Sequence, residues 1–157
     1  MSDLEVTTEN GIATFIMNRP DARNALSMDM RRQLAEALHD AELDDKIRCI
    51  VLKGAGDHFM AGGDIKGMGE SIKKSPEEIK KEFILRIHDL HPIMFAMRRM
   101  PKPIIASCRG AAAGAGVSIA LACDLVIAAE DAFFTLCWIC FFVCCLFPNK
   151  DEAGLCA

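Results

Sequence analysis

Residues 104–123 read IIASCRGAAAGAGVSIALAC, and this stretch decides the fold. Residues 104–108 form a short apolar run, which predicts a buried strand. Residues 110–116 are all glycine or alanine and predict a tight turn, and residues 117–123 predict a closely packed helix. A strand that passes through a short turn into a helix is typical of a layered α/β fold.

Similar patterns extend toward both ends of the chain. Residues 11–18 alternate in the manner of a strand, and residues 47–53 and 125–128 are apolar runs that also predict strands. Ser27 is the predicted N-cap of a helix that lies between the strands at residues 11–18 and 47–53. The apolar stripe of that helix comprises Met30, Leu34, Ala37, Leu38 and Ala41. The order β-α-β-α-β-α-β predicts an α/β fold with a largely parallel sheet.

Another helix is predicted to follow Ser75, which is a suitable N-cap because Pro76 and Glu78 occupy the first and third helical positions. We expect this helix to be long, to kink at Pro92 and to end before residues 101–103 (PKP). Its inward-facing residues are predicted to be Ile79, Phe83, Ile87, Leu90 and Met94.

The composition describes one globular domain. The chain has 157 residues, of which 52% are hydrophobic and 25% charged. A net charge of −4, with no run of more than two basic residues, argues against a nucleic-acid surface. The first residues, MSDLEVTTENG, have neither a secretory nor a transit character, so a cytoplasmic location is expected. The eight cysteines lack a paired CxxC arrangement, and the four histidines are scattered, so no metal site is predicted.

Two loops of small residues are the candidate functional sites: FMAGGDIK at residues 59–66 and RGAAAGAG at residues 109–116. Small side chains let a ligand approach backbone N–H groups, and the unpaired N–H groups at a helix start favour an anion or a developing oxyanion. For either loop alone, the ordinary need for glycine in turns is an equally good explanation. Neither loop has the GxGxxG or GKS/GKT pattern of a nucleotide-binding loop.

Four sequence blocks together resemble the enoyl-CoA hydratase/isomerase (crotonase) family. They are MNRP with NALS (17–20, 24–27), GAG leading to FMAGGDIK (54–56, 59–66), MPKPIIA (100–106) and residues 110–124. The resemblance covers about residues 5–136 and is to the N-terminal half of the family. It implies a crotonase-type (ClpP/crotonase-like) spiral of ββα units, truncated and lacking the C-terminal helices. It also implies that residues 1–136 are a partial acyl-CoA-binding core.

The resemblance also implies roles for individual residues. The backbone N–H groups of Gly63 and Ala115 would form an oxyanion hole for the thioester oxygen. Contacts with the substrate or its coenzyme A are implied for Arg23, Ala25, Ala61, Gly62, Gly63, Asp64, Ile65, Lys66, Gly114 and Ala115. Ordinary surface charge explains Arg23 and Lys66 equally well, and Asp64 is expected to order its own loop. Coenzyme A arrives as part of the thioester substrate, so no separate cofactor is expected.

The catalytic carboxylates of the family are missing from the positions where the resemblance would place them. The family's hydratases use two glutamates as acid and base, and those positions fall on Ser118 and near Trp138. Serine cannot replace a carboxylate as a general base near pH 7. The chain is therefore predicted to be more isomerase-like, shifting a double bond, than hydratase-like. Two alternatives stay open: an enoyl-CoA hydratase (a lyase) of fatty-acid oxidation, and an inactive isoform that binds coenzyme A or a partner. The family suggests a homotrimer or hexamer.

Residues 137–157, CWICFFVCCLFPNKDEAGLCA, differ in character from the rest of the chain and contain five of the eight cysteines. The resemblance stops between Leu136 and Cys137. Three explanations stay open: a frameshifted or alternatively spliced tail, a membrane segment, or a natural short variant. The apolar residues 132–147 number fewer than the ~20 that span a bilayer, so membrane association is not expected and we favour the first explanation.

Overall fold

The computed structural model describes residues 2–64 and 75–136, apart from the side chains of Glu82 and Phe83. Residues 65–74 and the divergent tail, with the predictions made for them, lie outside the described residues. The elements are β1 (Leu4–Glu9), β2 (Ile12–Met17), α1 (Met28–Leu43), β3 (Cys49–Gly54), α2 (Pro76–His88), α3 (His91–Arg99), β4 (Ile104–Cys108), β5 (Ala111–Ala113), α4 (Ala115–Ala122), β6 (Leu125–Ala128) and β7 (Phe133–Thr135). No helix within the described ranges is long and apolar enough to cross a membrane.

The main sheet has the strand order β1-β2-β3-β4-β6. Only β1 and β2 pair antiparallel, whereas β2-β3, β3-β4 and β4-β6 are parallel. A second, parallel sheet joins β5 to β7. The predicted α/β fold with a largely parallel sheet is thus confirmed.

Strand β1 and the short strand β5 were not predicted. β1 exposes five of its six residues, so it lacks the apolar run of a buried strand. Its hairpin with β2 turns at Asn10 and Gly11, which both have positive φ, as a two-residue Asn-Gly turn requires. β5 lies inside the glycine and alanine stretch that predicted only a turn.

Both predicted helix caps are confirmed. The Ser27 hydroxyl accepts a hydrogen bond from the Met30 N–H at 3.0 Å, and most of the α1 stripe is buried. Ser75 and Glu78 form a reciprocal capping box: the Ser75 N–H donates to Glu78 Oε2 at 2.9 Å, and the Glu78 N–H donates to the Ser75 hydroxyl at 3.3 Å. These contacts satisfy N–H groups that a helix start leaves unpaired.

The prediction of one long helix kinked at Pro92 is wrong. α2 ends at His88, and α3 begins at His91 with Pro92 in its first turn, where the missing proline N–H removes no helical bond. Of the residues predicted to face inward, Leu90 is buried as expected, whereas Ile79 near the start of α2 is exposed.

The core lies between the sheet and helices α1, α3 and α4. Its largest fully buried side chains are Phe15, Met17, Leu26, Met30, Leu34, Leu38, Ile50, Leu52, Phe59, Met60, Ile93 and Ile104. The opposite situation holds in β6 and β7, where every residue is exposed. The candidate loops follow β3 and β4, in which alternate residues are buried.

Candidate functional site

Backbone hydrogen bonds hold the two small-residue loops side by side. The Met60 N–H donates to the Ala111 carbonyl at 3.0 Å, and the Met60 carbonyl accepts from the Ala113 N–H at 2.8 Å. One residue earlier, the Phe59 N–H donates to the Arg109 carbonyl at 2.8 Å. The first loop thus pairs with β5 through a parallel bridge between Met60 and Ala112.

Glycine is required where the two loops touch. A Cβ on Gly116 would overlap the backbone carbonyl oxygen of Met60 and would lie 2.9 Å from the Met60 Cβ. Gly62 has a φ of +103°, and a Cβ there would lie 3.2 Å from the Ala113 carbonyl oxygen. The first turn of α4 therefore packs directly against the backbone of the first loop, which explains the small residues in both.

The backbone N–H of Gly63 is directed away from the segment that anchors its loop. Leu26 donates its N–H to the Gly62 carbonyl at 2.7 Å and accepts from the Asp64 N–H at 3.3 Å, which makes a parallel bridge opposite Gly63. In such a bridge the N–H of the middle residue points to the other side. Gly63 is exposed, and its N–H makes no hydrogen bond within the described part of the chain.

Ala115 offers the second available N–H. It is the first residue of α4, where no preceding helical turn supplies an acceptor, and its N–H is likewise unpaired among residues 2–64 and 75–136. The Gly114 N-cap has a φ of 54° and no side chain to cap the helix. Its N–H donates to the Thr135 carbonyl at 3.0 Å, which fixes the turn against β7. The positive end of the α4 dipole adds to the attraction for an anion.

The other predicted contact residues surround these two donors. Arg23 is exposed, and its carbonyl accepts from the Ala61 N–H at 2.9 Å, which places the predicted phosphate contact beside the first loop. Ala25 is half-buried. Asp64 forms an ion pair with Arg19, with 2.8 Å between its Oδ2 and the guanidinium Nη2, consistent with the predicted loop-ordering role. Ile65 and Lys66 lie outside the described residues.

Asn24 organises the site, although sequence reasoning gave it no role. It is fully buried and has a positive φ of 55°. Its Nδ2 donates to the carbonyls of Ala55 at 2.9 Å and His58 at 2.7 Å, while its Oδ1 accepts from the Arg19 N–H at 2.9 Å. Asparagine adopts a positive φ more readily than most residues. The Arg23-Asn24 dipeptide was therefore the feature of the sequence that could have indicated this turn.

Within α4, Ser118 is the one polar side chain, and a serine hydroxyl is not a useful general base near pH 7. Ser118 is almost fully buried. Burial raises the pKa of Cys108 to about 11 and that of Cys123 to about 12, so both are neutral thiols and weak nucleophiles at pH 7. The capacity of α4 to stabilise a developing charge therefore rests on its backbone N–H groups.

Similar proteins agree on the family and differ in the reaction. The enoyl-CoA hydratase/isomerase family matches residues 7–141. A 1,2-epoxyphenylacetyl-CoA isomerase from Escherichia coli K12 is 38% identical over 82% of this chain and 48% of its own length. A probable enoyl-CoA hydratase from Rhodobacter capsulatus is 41% identical over 79% of this chain and 45% of its own.

The fold gives the same result. A solved enoyl-CoA hydratase/isomerase from Xanthobacter autotrophicus Py2 is 31% identical and superposes with a TM-score of 0.77, over 86% of this chain and 49% of that one. The chain thus spans about half the length of the relatives it matches. With the fold, the two loops and these likenesses in agreement, the chain belongs to the enoyl-CoA hydratase/isomerase family.

Proposed function

We propose that this chain binds an acyl-CoA thioester with the carbonyl oxygen between the N–H groups of Gly63 and Ala115, and stabilises the enolate of a double-bond isomerisation. The observation that carries the proposal is that these two N–H groups are unpaired, within the described residues, on adjacent loops. Of the N–H groups near these two, those of Ala61, Asp64 and Gly114 have carbonyl partners.

The chemistry follows from where charge develops. Removing a proton next to a thioester carbonyl places negative charge on the oxygen, and each preset donor lowers such a barrier by about 3 kcal/mol. Both donors belong to backbone whose neighbours are hydrogen-bonded, so little reorganisation is needed when the charge appears. The exposed guanidinium of Arg23, beside the first loop, supports a contact with a phosphate of coenzyme A.

Isomerisation is favoured over hydration because Ser118 stands where the family's hydratases have a glutamate. Loss of a general acid or base commonly costs ~10²–10⁴ in rate. We therefore expect hydration of crotonyl-CoA to be slower than that of an efficient hydratase by this factor. The printed names of the relatives include both isomerases and hydratases, so they do not decide between the two reactions.

The test uses acetoacetyl-CoA, whose enolate absorbs in the near ultraviolet. We expect the chain to bind it by calorimetry and to raise its enolate fraction. Gly63→Pro removes one donor and should abolish that rise while weakening binding less. Gly63→Ala is the matched control, since it keeps the N–H and its Cβ meets nothing within 4 Å. No heat and no thermal shift at millimolar ligand would refute the proposal, as would an enolate signal that Gly63→Pro leaves intact.

A further inference from the structure

We infer that Arg19 is a positioning residue for the Gly63 N–H, an inference that rests on the proposed function. Arg19 follows β2 and is only 24% exposed. Its Nη2 lies 2.8 Å from Asp64 Oδ2, and its Nη1 donates to the Ala25 carbonyl at 2.7 Å. Its Nε lies 3.5 Å from Asp3 Oδ2, which also accepts from the hydroxyl of Ser27 at 2.5 Å. One guanidinium therefore contacts the residue before β1, the segment that leads into α1, and the first loop.

These contacts act on the residue next to the proposed donor. Gly63 lies between Gly62, whose carbonyl is fixed by Leu26, and Asp64, whose N–H makes a longer 3.3 Å bond to the same residue. The ion pair with Arg19 is thus a second anchor on the weaker side of Gly63. Since Gly63 itself has no side chain to hold it, its N–H direction depends on these two neighbours.

The geometry of the pair suits this role better than that of a surface ion pair. Arg19 and Asp64 are 24% and 16% exposed, whereas the pair Arg32–Glu36 on α1 is about 60% exposed on both sides at 2.9 Å. Exposed pairs contribute little because water screens them. The rigid fork of arginine reaches two loop segments at once, which lysine cannot reproduce.

The first arm of the test needs no ligand. In an amide NMR spectrum, Arg19→Gln should shift the Gly63 resonance and speed its exchange with solvent, and Asp64→Asn should do the same. The double variant should add little to either single change, because the two residues act as one unit. Arg32→Gln removes a comparable charge from an exposed pair and should leave the Gly63 resonance in place.

The second arm asks whether the positioning matters for chemistry. Arg19→Gln should lower the enolate enrichment of bound acetoacetyl-CoA by about tenfold or more, because small misplacements of catalytic groups can cost up to ~10²-fold. Its dissociation constant should change much less, and Arg19→Lys should recover part of the loss.

Different results would refute the proposed function and the positioning role of Arg19. A wild-type chain that binds no acetoacetyl-CoA refutes the proposed function. An unchanged Gly63 resonance in a folded Arg19→Gln chain, or in Asp64→Asn if the first variant does not fold, refutes the positioning role. Equal losses of binding and enolate enrichment would also overturn it, since they indicate general loosening of the structure.

Discussion

The two-loop region, residues 59–63 and 110–118, and the β6–β7 region, residues 125–136, adjoin each other but differ in how they are held. In the first, backbone packs on backbone, and neighbouring carbonyl and N–H groups pair across the two loops. In the second, every residue of both strands is exposed, and Leu125, Ile127 and Phe133 are each more than half exposed. The geometry of Gly63 and Ala115 therefore depends on backbone contacts of these loops, both with each other and with Leu26 and Thr135.

The two regions meet along the parallel pairing of β5 with β7 and at backbone hydrogen bonds beside it. The Gly114 N–H donates to the Thr135 carbonyl at 3.0 Å, and the Phe133 N–H donates to the Gly110 carbonyl at 2.9 Å. Parallel sheets are normally covered on both faces, and the matched relatives are about twice as long as this chain. We therefore expect site geometry and coverage of the sheet to be separable properties.

The largest expected effect is on cysteine reactivity at the border between the regions. Cys108 in β4 and Cys123 before β6 are buried, whereas Cys49 is half-buried. With pKa values of about 11 and 12 for the two buried thiols, we expect alkylation at pH 7.5 to be slower than at Cys49 by about a hundredfold or more, measured by peptide mass spectrometry. If Cys123 were labelled as fast as Cys49, the segment between α4 and β6 would open readily to solvent.

The same thiols predict a loss of stability at alkaline pH. Burial raises both pKa values above the ordinary 9.0, so folding favours the neutral form. Their contribution to stability is complete below about pH 9 and is lost as the pH rises toward 11 and 12. The midpoint of urea unfolding should fall over that range, and less so in a Cys108→Ala, Cys123→Ala chain.

The next effect tests the contact between the loops. Gly116→Ala should lower the free energy of unfolding by about 2–3 kcal/mol, because the new Cβ overlaps the Met60 carbonyl and this exceeds the ~1 kcal/mol gained in helix propensity. The melting temperature should fall by roughly 5–10 °C. Gly63→Ala, whose Cβ meets open space, should melt close to the wild type. Similar melting of both variants would contradict the packing described here.

A slightly smaller effect is expected for the buried amide that ties the loops to β3. Asn24→Ala leaves the carbonyls of Ala55 and His58 without that donor and should cost about 2 kcal/mol in denaturant unfolding. Asn18→Ala is the control, because its side chain makes an exposed hydrogen bond to Glu5 and should change stability by less than about 0.5 kcal/mol. Equal losses would show that burial is not what makes Asn24 important.

The buried strands and the helix caps were the parts of the fold that the sequence predicted best. β3 and β4 carry the apolar runs typical of parallel strands, and Ser27 and Ser75 cap their helices through local chemistry. The break between α2 and α3 was missed because Ile79 continues a helical pattern that tertiary packing does not use. The contacts of Arg19 were missed because they join residues far apart in sequence, and no local pattern encodes them.

The smallest expected effect on stability is in the exposed region. Ile127→Thr in β6 should change the free energy of unfolding by no more than about 0.5 kcal/mol, because the side chain is 62% exposed. Ile50→Thr in β3, which is fully buried, should cost about 2–4 kcal/mol through lost packing and a buried hydroxyl. Size exclusion should also find less self-association for Ile127→Thr, because it interrupts an exposed apolar patch, and exposed patches of this kind promote association. If Ile127→Thr costs as much as Ile50→Thr, β6 is covered in solution, and the contrast between the two regions is wrong.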